Sequence, residues 1–209
     1  MRIGIIGAGF VGKTLTQAAV QNGHEVMISN SRAKETLFSH GHLLSCLTGS
    51  ASEAAAFGDI VILAAPMSAY NKLPKNQLQE KVVIDACNYY PERDGDIPPL
   101  QNRETTSSAL IASSIKNPAV VKAFNCIVMT DMPRDARPSG AANRRALPFA
   151  GDDDNARQIV SGMIDAFGFE PVDAGPLSES WRFEPETPVY CVPLQAKELK
   201  ASLDETVRS

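Results

Sequence analysis

The stretch that decides the fold is RIGIIGAGFVGKTLTQAAVQNGHEVMISN, residues 2–30. It opens on a continuous apolar run, residues 2–7, of the kind that makes a strand buried on both faces. From residue 11 to 22 the period changes. Val11, Leu15, Ala18 and Ala19 fall on one helical face, and Gly23 ends the helix. Residues 24–30 return to a strand pattern. Between the first strand and the helix lie Gly7, Ala8, Gly9, Phe10, Val11 and Gly12, which fit G-x-G-x-x-G. Alone, that spacing is a weak signal. Here a strand precedes it, a helix follows, and a second strand ends 18 residues beyond Gly12, which is the context of a dinucleotide-binding loop. The first glycine permits the tight turn, the second lets a pyrophosphate approach the backbone, and the third lets helix and strand pack closely. The helix N-terminus then offers N–H groups and partial positive charge to the phosphates.

The end of the second strand selects among dinucleotides. An acid is expected there to hold the ribose hydroxyls of NAD, and it would repel a 2′-phosphate. No acid occurs from Val26 to Ala33. Instead Asn30 offers an uncharged amide, Ser31 a hydroxyl, and Arg32 a planar fork of donors suited to phosphate. The set predicts NADP(H) over NAD(H).

Farther along the chain, apolar runs keep alternating with helical patterns. Strands are predicted at residues 59–65, 81–87, 119–125, 146–151 and 169–175, and helices at 51–57, 107–115 and 153–167. Residues 41–50 are compatible with a short strand or a loop. This alternation predicts an α/β fold: a Rossmann-like, doubly wound, mainly parallel sheet. One domain spanning 1–175 is expected, with a short extension, 176–209, packing on it or on a partner subunit. Residues 130–145 carry Pro, Gly and four arginines in an irregular segment, a length often functional or mobile.

Composition excludes several classes. With 44% hydrophobic and 21% charged residues and a net charge of −4, the chain is expected to bind neither nucleic acid nor an anionic membrane surface. The longest apolar run, residues 60–67, is too short to span a bilayer. The first twenty residues resemble a secretory signal, but Lys13, Thr14, Thr16 and Gln17 follow the apolar run at once, so they read as part of the fold. Cys46, Cys87, Cys126 and Cys191 are 41, 39 and 65 residues apart. This is no metal or redox spacing, and reduced thiols in the cytoplasm are expected. Asp152, Asp153 and Asp154 cannot converge on one ion from consecutive helical positions, and suit a helix N-terminus instead. No metal is expected.

Ligands in such sheets bind beyond the carboxyl ends of the strands. The residues there are Ala65, Pro66, Met67, Ser68 and Tyr70, then Asn88, Tyr89 and Tyr90, then Ala123, Phe124, Asn125 and Cys126. The three histidines lie elsewhere, and no Tyr-x-x-x-Lys pair exists. Carbonyl reduction normally needs an acid. Hydride exchange between a nicotinamide and a flavin-like ring does not, so the acid-poor lining favours the latter and no catalytic residue is assigned. Lys122 reads as a strand residue paired with a carboxylate. Two alternatives stay open. One is a non-catalytic NADP(H)-sensing module that binds a protein partner through residues 130–145 and the tail. The other is a small imine or carbonyl reductase using Tyr70, Tyr89, Tyr90 or Lys122 as acid.

RIGIIGAGFVG, SNSR, VVKAFN, FAGDDDNA and GFEPVDAGPLSESW, in that order, resemble the NADPH-dependent coenzyme F-420 reductase family, and also the NADPH-binding domain of the STEAP ferric reductases. The resemblance covers most of residues 1–184. It implies a Rossmann-like fold, often a homodimer, with hydride passing between NADP(H) and a deazaflavin or flavin as second cofactor, or a small-molecule acceptor. It places Gly7 to Gly12 on the pyrophosphate, and Ser31 and Arg32 on the 2′-phosphate. Ala65, Pro66 and Met67 would line the nicotinamide side, with Ala123 and Asn125 near the second cofactor. Two departures stand out: Asn88-Tyr89-Tyr90-Pro91 replaces the family's Asn-Pro, and a Pro-interrupted, charged tail replaces its apolar C-terminal helix. Hydroxyacid dehydrogenases and pyrroline-carboxylate reductases begin with a similar domain. They add a large helical domain that the 34 residues after Gly175 are not expected to supply.

Overall fold

A computed structural model describes residues 1–31 and 34–208. Among these, eight strands form one sheet: β1 (Arg2–Ile6), β2 (Glu25–Ser29), β3 (Leu47–Gly49), β4 (Ile60–Leu63), β5 (Val82–Asp85), β6 (Val120–Ala123), β7 (Ala146–Gly151) and β8 (Glu170–Asp173). Their order is β3-β2-β1-β4-β5-β6-β7-β8. All neighbours are parallel except β6 and β7, which run antiparallel. The order reverses between β1 and β4, which makes that junction the switch point of a doubly wound sheet.

Helices cover both faces. α1 (Phe10–Gln21), α2 (Phe38–Leu44) and α3 (Ala51–Phe57) serve the first half, and the single turns α4 (Lys75–Leu78), α5 (Pro91–Asp94) and α6 (Pro98–Gln101) lead to α7 (Ser107–Ile115). α8 (Asp131–Asp135), α9 (Asp154–Ala166) and α10 (Ala196–Glu205) complete the set. Because side chains alternate along a strand, the core divides in two. Ile3, Ile5, Ile62 and Ile84 join Leu15 of α1 and Val160 of α9 on one face. Val61, Leu63 and Val83 join Ile111 and Ile115 of α7 on the other. Ser50 caps α3 through a capping box with Glu53, and Asp153 caps α9 by accepting from the Ala156 N–H at 2.7 Å.

Most predicted strands are one to three residues shorter than their apolar runs, chiefly at the carboxyl end. The residues lost from the sheet, among them Ala64 and Ala65, Ala86 and Cys87, and Phe124 and Asn125, continue beyond the carboxyl ends of their strands. Residues 41–50 hold the end of α2 and the edge strand β3. The segment 130–145 differs from the sequence expectation. It begins with α8, and its arginines bind within the chain. Arg144 and Arg145, each 5% exposed, pair with Asp165 and Glu170 and with Asp131 and Asp135, respectively. Arg134 pairs with Asp131 and Asp135, and Arg137 donates to the Arg134 and Ala136 carbonyls. Buried guanidiniums need such partners, so Arg144 and Arg145 anchor the start of β7, while residues 136–145 are irregular and Arg134 and Arg137 are exposed.

After β8 the chain forms a 3-10 stretch, Leu177–Phe183, and then α10. Leu199 and Leu203 of α10 are buried with Phe183 and Val189 against Ala146, Ala150 and Val172. The charged tail is therefore an amphipathic helix whose apolar face is two leucines wide. Among the described residues no helix is long and apolar enough to cross a membrane, and no group of three or more His, Cys, Asp or Glu could hold a metal ion.

Candidate functional site

The glycine loop is built by close approach. Gly7 has φ +118°, and a Cβ there would lie 2.2 Å from the Ala64 carbonyl oxygen. A Cβ on Gly12 would lie 1.8 Å from the Gly7 carbonyl oxygen. Both positions therefore require glycine. Gly9 is different: a Cβ there meets nothing within 4 Å. Gly9 is the N-cap of α1, with no side chain capping it and no acid in the first turn. The loop is fixed from both sides, since the Gly7 N–H donates to the Ser29 carbonyl at 2.9 Å and the Ala64 N–H to the Ile6 carbonyl at 2.8 Å. The open space over Gly9, facing an uncapped helix N-terminus, fits a pyrophosphate. Ala8 and Val11 are partly buried against the first core face. Phe10 projects outward, 62% exposed.

At the end of β2, Ser29 is buried and donates to the Ile5 carbonyl, while Asn30 donates from Nδ2 to Thr36 Oγ1 at 2.9 Å. Ser31 is exposed. Arg32 lies outside the described residues, so its part in the phosphate pocket rests on the sequence.

Beyond β4, Ala65 is half-buried and Pro66 exposed. Met67 does not line the cleft with its side chain. It is 1% exposed and packs in the second core face, because the chain turns there into the 3-10 segment Met67–Lys72. Tyr70 packs against the same cluster and borders a small side cavity with Ser68, Asp94 and Ile97. Ala123 is wholly buried in the core, so its side chain is behind the cleft rather than in it.

Asn88 and Asn125 come together inside a polar cluster. Asn125 donates from Nδ2 to the Phe183 carbonyl and to Asn88 Oδ1, both at 3.0 Å. Asn88 donates from Nδ2 to the Asn125 carbonyl at 3.0 Å and to the Tyr190 hydroxyl at 3.2 Å. The hydroxyls of Tyr190 and Tyr90 are 2.6 Å apart. Asn125 Oδ1 is buried with no partner. Phe124, between the strand and this cluster, holds φ +62°, a left-handed conformation that costs a bulky residue energy and marks the sharp turn off β6.

Beneath lies Lys122, 0% exposed. Its Nζ donates to the Cys87 carbonyl and to Ser107 Oγ at 2.7 Å, and is 3.3 Å from both Asp85 Oδ2 and Glu184 Oε1. Ser107 donates to Glu184 at 2.7 Å and Ser108 to Asp85 at 2.5 Å. Burial pulls the lysine pKa down, but Asp85 and Glu184 outweigh it, and the net shift is upward. The ammonium is held charged and enclosed. Burial also pushes the Cys126 thiol up to about 12 and raises Cys87 well above its ordinary value. Neither is a nucleophile near neutral pH.

Sequence reasoning placed Lys122 beside a carboxylate, and one is there. Asp85 is its register partner across β5 and β6, and a lone charge in each of two apolar runs was the signal. Glu184, Phe183 and Tyr190 were missed. They come from the Pro-rich tail, which has no period to read.

Fold and loop are of the Rossmann type. Residues 2–89 match the family described as NADP oxidoreductase, coenzyme F420-dependent. Metalloreductase STEAP3 of Rattus norvegicus is 29% identical over 188 residues, covering 88% of this chain and 36% of that protein. The chain thus spans about a third of that relative's length. Among solved structures, protein SMa0349 of Sinorhizobium meliloti superposes with a TM-score of 0.76 at 25% identity, covering 93% of this chain and 94% of the other. A protein of Arthrobacter sp. FB24 assigned as an F420-dependent NADP-reductase gives 0.72 at 22% identity, covering 86% and 87%, a likeness of fold alone.

Proposed function

We propose that the protein is an NADP(H)-dependent oxidoreductase that exchanges hydride with a flavin, a deazaflavin or a small electron acceptor. The observation that carries this reading is the glycine loop. Gly7 and Gly12 are forced by backbone contacts, yet Gly9 is free of any, and its missing side chain serves only an incoming ligand. The family match over residues 2–89 supports the same reading. Gly7 to Gly12 hold the pyrophosphate at the N-terminus of α1. Ser31 and Arg32, with the uncharged Asn30, hold the 2′-phosphate. Ala65, Pro66 and Asn88 border the nicotinamide, which supplies the hydride when bound. The chain's own part there is to orient the ring and exclude water.

Calorimetry with NADPH and NADH tests this. NADPH binds more tightly, and Arg32→Ala weakens it roughly 10- to 100-fold, the worth of a charge-assisted phosphate contact, while NADH binding changes little. Equal weakening of both removes the 2′-phosphate assignment. Absence of NADPH binding and of NADPH oxidation with flavins, F420 and quinones removes the whole reading.

A further inference from the structure

Tyr90 belongs to two places at once. Its hydroxyl is in the polar cluster at the ends of β5 and β6, 2.6 Å from that of Tyr190. The residue also lines a cavity of about 420 Å³, together with Tyr89, Ser107, Trp181 and Glu184, a volume within the range of small-molecule sites. Half of this wall comes from residues 181–188 and 206–208 of the tail.

The carbonyls of the cluster orient its two amides. The carbonyls of Phe183 and Asn125 only accept, so Asn125 presents its amide N–H to Phe183, and Asn88 presents its own to Asn125. Asn88 then also donates to Tyr190. With its oxygen receiving that bond, Tyr190 meets the Tyr90 hydroxyl at 2.6 Å, a contact in which either oxygen can be the donor; when Tyr190 donates, the proton of Tyr90 is free to leave the cluster. The Arg93 guanidinium lies 4.9 Å from the centroid of the Tyr90 ring and is paired with Asp94. The other candidate acids are committed elsewhere. Tyr89 donates to the Gly95 carbonyl at 2.9 Å, Tyr70 packs in the second core face, and Lys122 is enclosed.

We propose that this cavity takes a conjugated carbonyl acceptor of the quinone class, with Tyr90 the acid that protonates its oxygen and Tyr190 the positioning residue behind it. This rests on the NADP(H) reading above. A flavin reduced by hydride persists as an anion near neutral pH and needs no acid, whereas a carbonyl oxygen does. A tyrosine pair ending in a cavity is therefore matched to the carbonyl. The step balances: the C–H bond of a dihydronicotinamide breaks, its hydride carries both electrons to the acceptor, and the acceptor's oxygen forms an O–H bond with the proton of Tyr90. Water restores that proton, so the dihydronicotinamide is oxidised and the carbonyl acceptor reduced.

Trp181 is the sole tryptophan of the chain, so its fluorescence reports the cavity without any nucleotide. Titration with menadione gives a saturable quench, and Thr105→Phe, which fills the cavity from its wall, abolishes it while circular dichroism stays unchanged. A quench that never saturates, or that survives Thr105→Phe, overturns the site. In turnover with NADPH, Tyr90→Phe lowers kcat for menadione about 100-fold, at least about tenfold more than it lowers riboflavin reduction. Tyr190→Phe lowers it several-fold with the same acceptor dependence and alters the solvent isotope effect. Equal losses with both acceptors, or none, overturn the acid assignment. Saturable menadione binding with no NADPH bound or oxidised overturns the NADP(H) reading and the acid role with it, and leaves a separate mark from a failed cavity.

Discussion

The two ends of the cleft are built by opposite means. At the glycine loop, side chains are removed: Gly7 and Gly12 let backbone meet backbone, and Gly9 leaves the N-terminus of α1 bare. At the ends of β5 and β6, side chains are crowded in: Asn88 and Asn125 bind each other, and Lys122 binds Asp85 and Glu184. The first end is made from residues 2–30 with Ala64 packed against Gly7. The second joins residues about one hundred apart, since Tyr90 meets Tyr190 and Asn88 meets it too. A bare end can accept any ligand of the right charge. A crowded end limits which protons are available, and to what.

Substitutions separate the two designs, and the largest effect belongs to the crowded end. Lys122→Ala leaves Asp85 buried without its cation and should cost about 3–5 kcal/mol in urea unfolding. A loss under about 1 kcal/mol would show that the cluster is wet and that Lys122 does not hold it. Gly12→Ala comes next. Its Cβ meets the Gly7 carbonyl oxygen at 1.8 Å, so helix and strand must part, at a cost of about 1–3 kcal/mol and with loss of NADPH binding. Smaller again is Tyr190→Phe, which keeps the ring and loses two hydrogen bonds of the cluster. The expected change is about 1 kcal/mol in unfolding free energy, distinct from its effect on menadione turnover.

The same contrast explains what could be read from the sequence. The glycine loop, the strand alternation and the acid-free end of β2 are local patterns, legible in residues 2–30. The register of Asp85 against Lys122 was half legible, because a charge in an apolar strand demands a partner without naming it. The side chain of Met67 was misplaced because a strand-end position says nothing of the turn that follows. Residues 130–145 read as an irregular segment carrying four arginines, and nothing local in it names the acids of α8 and α9 that neutralise Arg144 and Arg145. Glu184, Phe183 and Tyr190 gave no signal at all. Their contribution depends on how the tail folds back along β7 and β8, and α10 carries only Leu199 and Leu203 to announce it.

The smallest change in stability belongs to Gly9, and it bears most directly on function. Its φ is −74° and ψ −169°, a backbone any residue adopts, and the space around its missing Cβ is empty. Gly9→Val therefore leaves the unfolding free energy within about 0.5 kcal/mol, as for other substitutions that touch nothing. If the emptiness belongs to a pyrophosphate, the same variant weakens NADPH by more than about tenfold, because two methyl groups now stand where phosphate oxygens approach the helix N-terminus. Calorimetry and urea unfolding on one variant read both quantities. Unchanged stability with unchanged NADPH affinity would mean that the bare end of the cleft is only a turn, and that the nucleotide, if it binds, lies elsewhere.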